Sequence, residues 1–138
     1  MDLELTDKRA VITGGSRGIG LGCAMALARE GCHVQLAARN EETLRHAKAA
    51  VLEAAGTVDV LTHSVDLSAS EDQRALVDAA GEVDIWINNA GAIPAGDIST
   101  INERRWRDAW DLKVFGYINL CREVYAAMEA RGTGVIIN

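Results

Sequence analysis

The segment that most constrains this chain is Thr13-Gly14-Gly15-Ser16-Arg17-Gly18-Ile19-Gly20. It follows an apolar run, Ala10-Val11-Ile12, and opens a stretch with helical spacing. Glycines at a strand-to-helix turn let backbone N–H groups approach an anion at the helix N-terminus, where the helix dipole favours negative charge. Such a turn suits the pyrophosphate of a dinucleotide, provided that a strand precedes it and a helix comes after.

The rest of the chain supplies that context. Strand-like and helix-like patterns alternate, the signature of βαβ units and a parallel sheet. The first strand is read at Arg9–Thr13, and the helix opened by Gly18 carries Ile19, Cys23 and Leu27 on one face before Gly31 ends it. His33–Ala38 reads as the second strand, followed by Asn40 as an N-cap with Glu41 and Glu42 in the first turn. A third strand is placed at about Val58–Val65 and a fourth at Val83–Asn88. Ser68 with Glu71, and Thr100 with Glu103, have capping-box spacing. Trp106, Trp110, Val114, Tyr117, Cys121, Val124 and Met128 then keep a 3–4 spacing that predicts one continuous apolar stripe. This stripe suits packing against the sheet or, in part, pairing with a second copy. Val135–Asn138 reads as a fifth strand, after which the sequence ends in mid-architecture, leaving one flank open and favouring a homo-oligomer.

Composition narrows the function classes. The 138 residues suffice for one domain, 1–138, with a sizeable core. A formal charge of −6 opposes nucleic-acid binding, which needs Lys and Arg to neutralise phosphates. Cys23, Cys32 and Cys121 are odd in number and lack CxxC spacing, so they read as reduced, mostly buried thiols of a cytoplasmic protein. His33, His46 and His63 are scattered, and no metal site is expected. The apolar runs fall far short of the roughly 20 residues of a membrane span, and no signal peptide is expected.

With its glycines spaced Thr-Gly-x-x-x-Gly-x-Gly, Asp66 directly after the third strand and Asn88-Asn89-Ala90-Gly91 after the fourth, the whole chain resembles the short-chain dehydrogenase/reductase family, classical type. The resemblance implies an α/β, doubly wound, Rossmann-like parallel sheet of order 3-2-1-4-5, with its C-terminal strands and helices missing. It implies cofactor contacts from Gly14, Ser16, Arg17, Gly18, Ile19 and Gly20 at the pyrophosphate end. Asp66 and Leu67 would meet the adenine, and Ala90 and Gly91 the nicotinamide-side ribose. Asn88 would stabilise the central sheet at the same place.

The second strand ends Ala37-Ala38-Arg39-Asn40, with alanine where NAD-binding folds carry an acid for the ribose 2′-OH. Arg17 and Arg39 can instead clasp a 2′-phosphate through charge-assisted hydrogen bonds, with Ser16 beside them, so NADP(H) is favoured over NAD(H).

The family's chemistry uses a Ser shortly after the fifth strand and then Tyr-x-x-x-Lys, with the Tyr as general acid/base. Neither Tyr117 nor Tyr125 has Lys four residues on, those positions being Cys121 and Glu129, so this trio is absent from the 138 residues. In Trp110-Asp111-Leu112-Lys113, Asp111 stands where many members carry an Asn of the proton relay, and an ionised Asp accepts hydrogen bonds but donates none. Asp111 is equally readable as a polar helix residue paired with Lys113 or solvent. The expected function is an NADP(H)-dependent oxidoreductase interconverting a carbonyl and an alcohol on a small-molecule substrate, this chain being the cofactor-binding part, truncated before the catalytic segment. The alternatives are a non-catalytic nucleotide-binding module and an inactive fragment.

Overall fold

The computed structural model describes residues 3–138. Five strands form one sheet: β1 (Arg9–Thr13), β2 (His33–Ala38), β3 (Val60–Ser64), β4 (Ile85–Ile87) and β5 (Val135–Ile137). Their order is β3-β2-β1-β4-β5, and every pair is parallel. The connections carry α1 (Gly18–Arg29), α2 (Glu41–Ala55), α3 (Ser70–Ala80), then α4 (Glu103–Trp110), a π-helical turn (Asp111–Phe115) and α5 (Gly116–Arg131). This is the doubly wound, Rossmann-like arrangement that the alternating pattern implies.

A parallel sheet is covered on both faces, so its central strands are apolar throughout rather than alternating with polar residues. Successive side chains still point to opposite faces. Ala10 and Ile12 pack with Ala24, Ala28, Leu36, Leu44 and Val51 beneath α1 and α2. Val11 packs with Leu76, Trp86, Leu120, Val124 and Met128 beneath α3 and α5. One polar exception is Gln35, whose amide N–H donates to the Ala80 carbonyl at 2.9 Å while its carbonyl accepts from His63 Nε2 at 2.7 Å. Both groups are satisfied, which makes a polar residue tolerable inside the sheet.

Several local expectations are corrected. β3 and β4 are shorter than the apolar runs that contain them. Of the two expected capping boxes, neither forms. At α3 the N-cap is Ala69, and Asp72 rather than Glu71 reaches back, to accept from the Asp66 N–H at 2.8 Å. At α4 the N-cap is Asn102, which accepts from Arg105 N–H at 3.0 Å, while the Thr100 hydroxyl donates to the Asp97 carbonyl. Asn40 does cap α2, accepting from Thr43 N–H at 2.8 Å. Of the cysteines, Cys32 is buried, but Cys23 and Cys121 are only partly so.

The continuous apolar stripe is also broken. In α5 the buried line is Gly116, Leu120, Val124 and Met128, one position off the expected Tyr117 and Cys121. Trp110 and Tyr125 are 55% and 57% exposed, and in α4 only Ala109 is buried. The cause is the π turn: hydrogen bonding from i to i+5 inserts an extra residue and rotates the downstream helix by about 100°. A single 3.6-residue period cannot describe both sides of it. At the other end of the sheet, Val135 and Ile137 of β5 are about half exposed.

Candidate cofactor cleft

A cleft of about 500 Å³ lies at the C-terminal ends of β1, β2 and β4, where the strand order reverses. This is the topological switch point at which open α/β sheets hold ligands. Its floor is built by Thr13, fully buried at the end of β1. The Thr13 hydroxyl donates to the Ile87 carbonyl at 3.3 Å and accepts from the N–H groups of Asn89 at 2.9 Å and Ala90 at 3.0 Å. The Asn89 amide returns to the glycine loop, donating to the carbonyls of Thr13 at 3.0 Å and Gly14 at 3.2 Å. Gly14 N–H in turn donates to Ala37 O at 2.8 Å, tying the loop to β2.

Two of the glycines are required by this closeness. A Cβ on Gly20 would collide with the Gly14 carbonyl and the Asn89 amide. Gly14, at φ +65°, would press a Cβ on Ala90. Gly18 is different: its φ of +57° needs glycine, but nothing lies within 4 Å of a Cβ there. That open space fronts the start of α1, which has no side-chain cap and no acidic residue in its first turn. Its N–H groups and dipole are therefore available to an anion. The cradle fits a dinucleotide pyrophosphate.

Of the residues singled out in the sequence, Gly14, Ser16, Arg17, Arg39, Leu67, Ala90 and Gly91 line the cleft. Gly18, Ile19, Gly20, Asp66 and Asn88 do not line it, each for its own reason. Gly20 is packed beneath the loop, and Ile19 points largely to solvent. Asn88 is 3% exposed; it accepts from Trp86 Nε1 at 2.9 Å and donates to Cys121 Sγ and Asn138 Oδ1, locking β4 to α5 and β5. Asp66 turns its carboxylate onto the hydroxyl and N–H of Ser68. Those two donors, and then the Arg39 guanidinium, hold its carboxyl below the ordinary carboxylate range. Asp111 lies in a separate depression with Glu103, Trp106, Arg107, Trp110 and Phe115.

Sequence reasoning missed Thr43, Val65, Asn89, Ala92 and Leu112 on the cleft wall. Val65 was discoverable, since it directly follows β3, the strand next to β2. Tyr117 and Tyr125 do not line the cleft; burial pushes the Tyr117 phenol up, and Tyr125 donates to Glu129 Oε1 at 3.2 Å. Among the described residues no His, Cys, Asp and Glu group could hold a metal ion, and no helix is long and apolar enough to cross a membrane.

Sheet order and cleft together define a Rossmann-like α/β protein of the doubly wound class. The family model for short chain dehydrogenases matches residues 8–138, and the chain belongs to that family. Among curated relatives, gluconate 5-dehydrogenase of Gluconobacter oxydans is 36% identical, matching 98% of this chain and 54% of that protein. A 3-oxoacyl acyl-carrier-protein reductase of Chlamydia muridarum is 31% identical, matching 100% of this chain and 57% of its own length. Among solved structures, L-sorbose reductase of Gluconobacter frateurii, complexed with NADPH and L-sorbose, superposes with a TM-score of 0.90. It is 38% identical, covering 99% of this chain and 53% of that one. An NAD+-bound xylitol dehydrogenase gives 0.86 at 26% identity, covering 96% of this chain and 52% of its own. The chain spans about half the length of these relatives.

Proposed function

We propose that this chain forms the cofactor-binding part of an NADP(H)-dependent oxidoreductase that interconverts a carbonyl and an alcohol on a small molecule. The observation that carries the cofactor choice is the pairing of Arg17 with Arg39 on the cleft wall, beside Ala38 at the end of β2, where no acid competes for the 2′ position. Gly14, Gly18 and the start of α1 would take the pyrophosphate, with Ser16 and the two arginines at the 2′-phosphate. Asp66 and Leu67 would meet the adenine, and Ala90 and Gly91 the nicotinamide-side ribose. Bound there, the nicotinamide supplies or accepts the hydride.

The resemblance implies a Tyr of a Tyr-x-x-x-Lys as general acid/base, a spacing that neither Tyr117 nor Tyr125 has. The free Cys23, Cys32 and Cys121 support a cytoplasmic location. The exposed Trp106, Trp110 and Phe115 support pairing with a second copy.

The test is a titration of the 138-residue chain with NADPH and NADH, followed by tryptophan fluorescence. A charge-assisted pair is worth about 1.5–3 kcal/mol, so NADPH should bind about ten- to a hundredfold more tightly, and Arg39→Asp should reverse the order. Equal affinities, or tighter NADH, refute the NADP(H) reading.

A further inference from the structure

The π turn sends its side chains in different directions. Asp111 lies in the aromatic depression, Leu112 lines the cofactor cleft, and Lys113 approaches the cleft-lining Gly91. A Cβ placed on Gly91 would meet Lys113 Nζ at 3.4 Å and Cδ at 3.5 Å, so the lysine lies directly across the space in front of that glycine. Its ammonium is steadied over the Tyr117 ring, 5.3 Å from the centroid. Lys113 takes part in none of the ion pairs among the described residues.

Resting on the cofactor reading above, which puts the nicotinamide half of the dinucleotide at Ala90 and Gly91, we infer that Lys113 makes the cleft discriminate between the two redox forms of the cofactor in favour of the reduced one. The oxidised nicotinamide ring carries a positive charge and the reduced ring does not. An ammonium at Gly91 therefore repels one form and leaves the other alone. Two unit charges about 4 Å apart in bulk-water dielectric interact strongly enough to change a binding ratio about fivefold, and salt reduces the effect. Lys113 is in this sense a specificity-determining residue, acting on cofactor charge rather than on the 2′ position.

The experiment measures Kd for NADPH and NADP+ with the full 138-residue chain, and for NADH and NAD+ if that pair is the one that binds. It compares wild type, Lys113→Gln, Lys113→Arg and Asp111→Asn. Wild type should favour the reduced form, and Lys113→Gln should shrink the ratio about fivefold, mainly through tighter binding of the oxidised form. Lys113→Arg should keep the ratio, Asp111→Asn should leave it alone, and raised ionic strength should narrow it in every variant that keeps the charge but not in Lys113→Gln. If both forms bind and Lys113→Gln leaves the ratio unchanged, this inference is overturned while the cofactor cleft stands. If neither form binds wild type, the cofactor reading fails and takes this inference with it.

Discussion

Gly20 and Gly22 sit two residues apart in α1, yet alanine should have opposite effects at the two positions. At Gly22 a Cβ meets nothing within 4 Å, so Gly22→Ala should gain about 0.5–1 kcal/mol from the lower entropy cost of ordering alanine in a helix. At Gly20 the same gain is offset by a collision with the Gly14 carbonyl and the Asn89 amide. Relieving it means displacing the loop and giving up the two bonds that Asn89 donates to Thr13 and Gly14, each worth about 1 kcal/mol net. Overpacking adds about 1–3 kcal/mol. The balance for Gly20→Ala is a loss of about 2–4.5 kcal/mol, and because the helix gain is common to both, the two variants should differ by about 3–5 kcal/mol. At this chain length that corresponds to roughly 10–20 °C in Tm. Urea and thermal unfolding followed by circular dichroism measure it directly, and NADPH affinity should fall with stability in Gly20→Ala alone. If Gly20→Ala unfolds no earlier than Gly22→Ala, the loop is not packed as described and the argument from its glycines fails.

Two further outcomes can be checked with little effort. Burial pushes the His63 imidazole below its ordinary value, while its Nε2–H donates to Gln35 in the neutral form. The unfolded chain therefore binds the proton more readily, and the contribution of His63 to stability is complete above about pH 6.5 and lost as pH falls below it. Urea midpoints between pH 7.5 and 5.5 should drop more steeply for wild type than for His63→Gln; parallel slopes would remove His63 as the cause. Trp110→Ser should move the chain from dimer toward monomer in light scattering while changing stability by less than about 0.5 kcal/mol. A wild-type chain that is monomeric at tens of micromolar would refute pairing through this face.

The parallel α/β class was legible because two signals agree, apolar runs short enough for buried strands and helix-period segments between them with glycine at the turns, whereas the strand order came from the family resemblance. The cleft was half legible. Residues that line the cleft just after a strand, such as Ser16 and Arg39, follow from position alone. The bond between Thr13 and Asn89, both in motifs read from the sequence, was not legible because it spans 76 positions and exists only once β1 and β4 are side by side. Asn88 and Asn89 look alike in sequence, yet strand alternation sends one inward to Trp86 and the other toward the loop. The π turn was invisible for a different reason: period analysis assumes a constant advance per residue, and Asp111–Phe115 changes it. That one irregularity displaced the buried line of α5 and set Leu112 on the cleft wall while Asp111 lies in the aromatic depression.

The Thr13 hydroxyl has a mechanical consequence. By bonding to Ile87, Asn89 and Ala90 together, it makes the ends of β1 and β4 a single stiff wall, on which distances are set to a few tenths of an ångström. Past Gly91 and Ala92, which also line the cleft, the chain carries a turn around Asp97 before α4 starts. The cleft is therefore braced by hydrogen bonds where it rests on β1 and β4, and bordered by connecting chain where it meets Gly91 and Ala92.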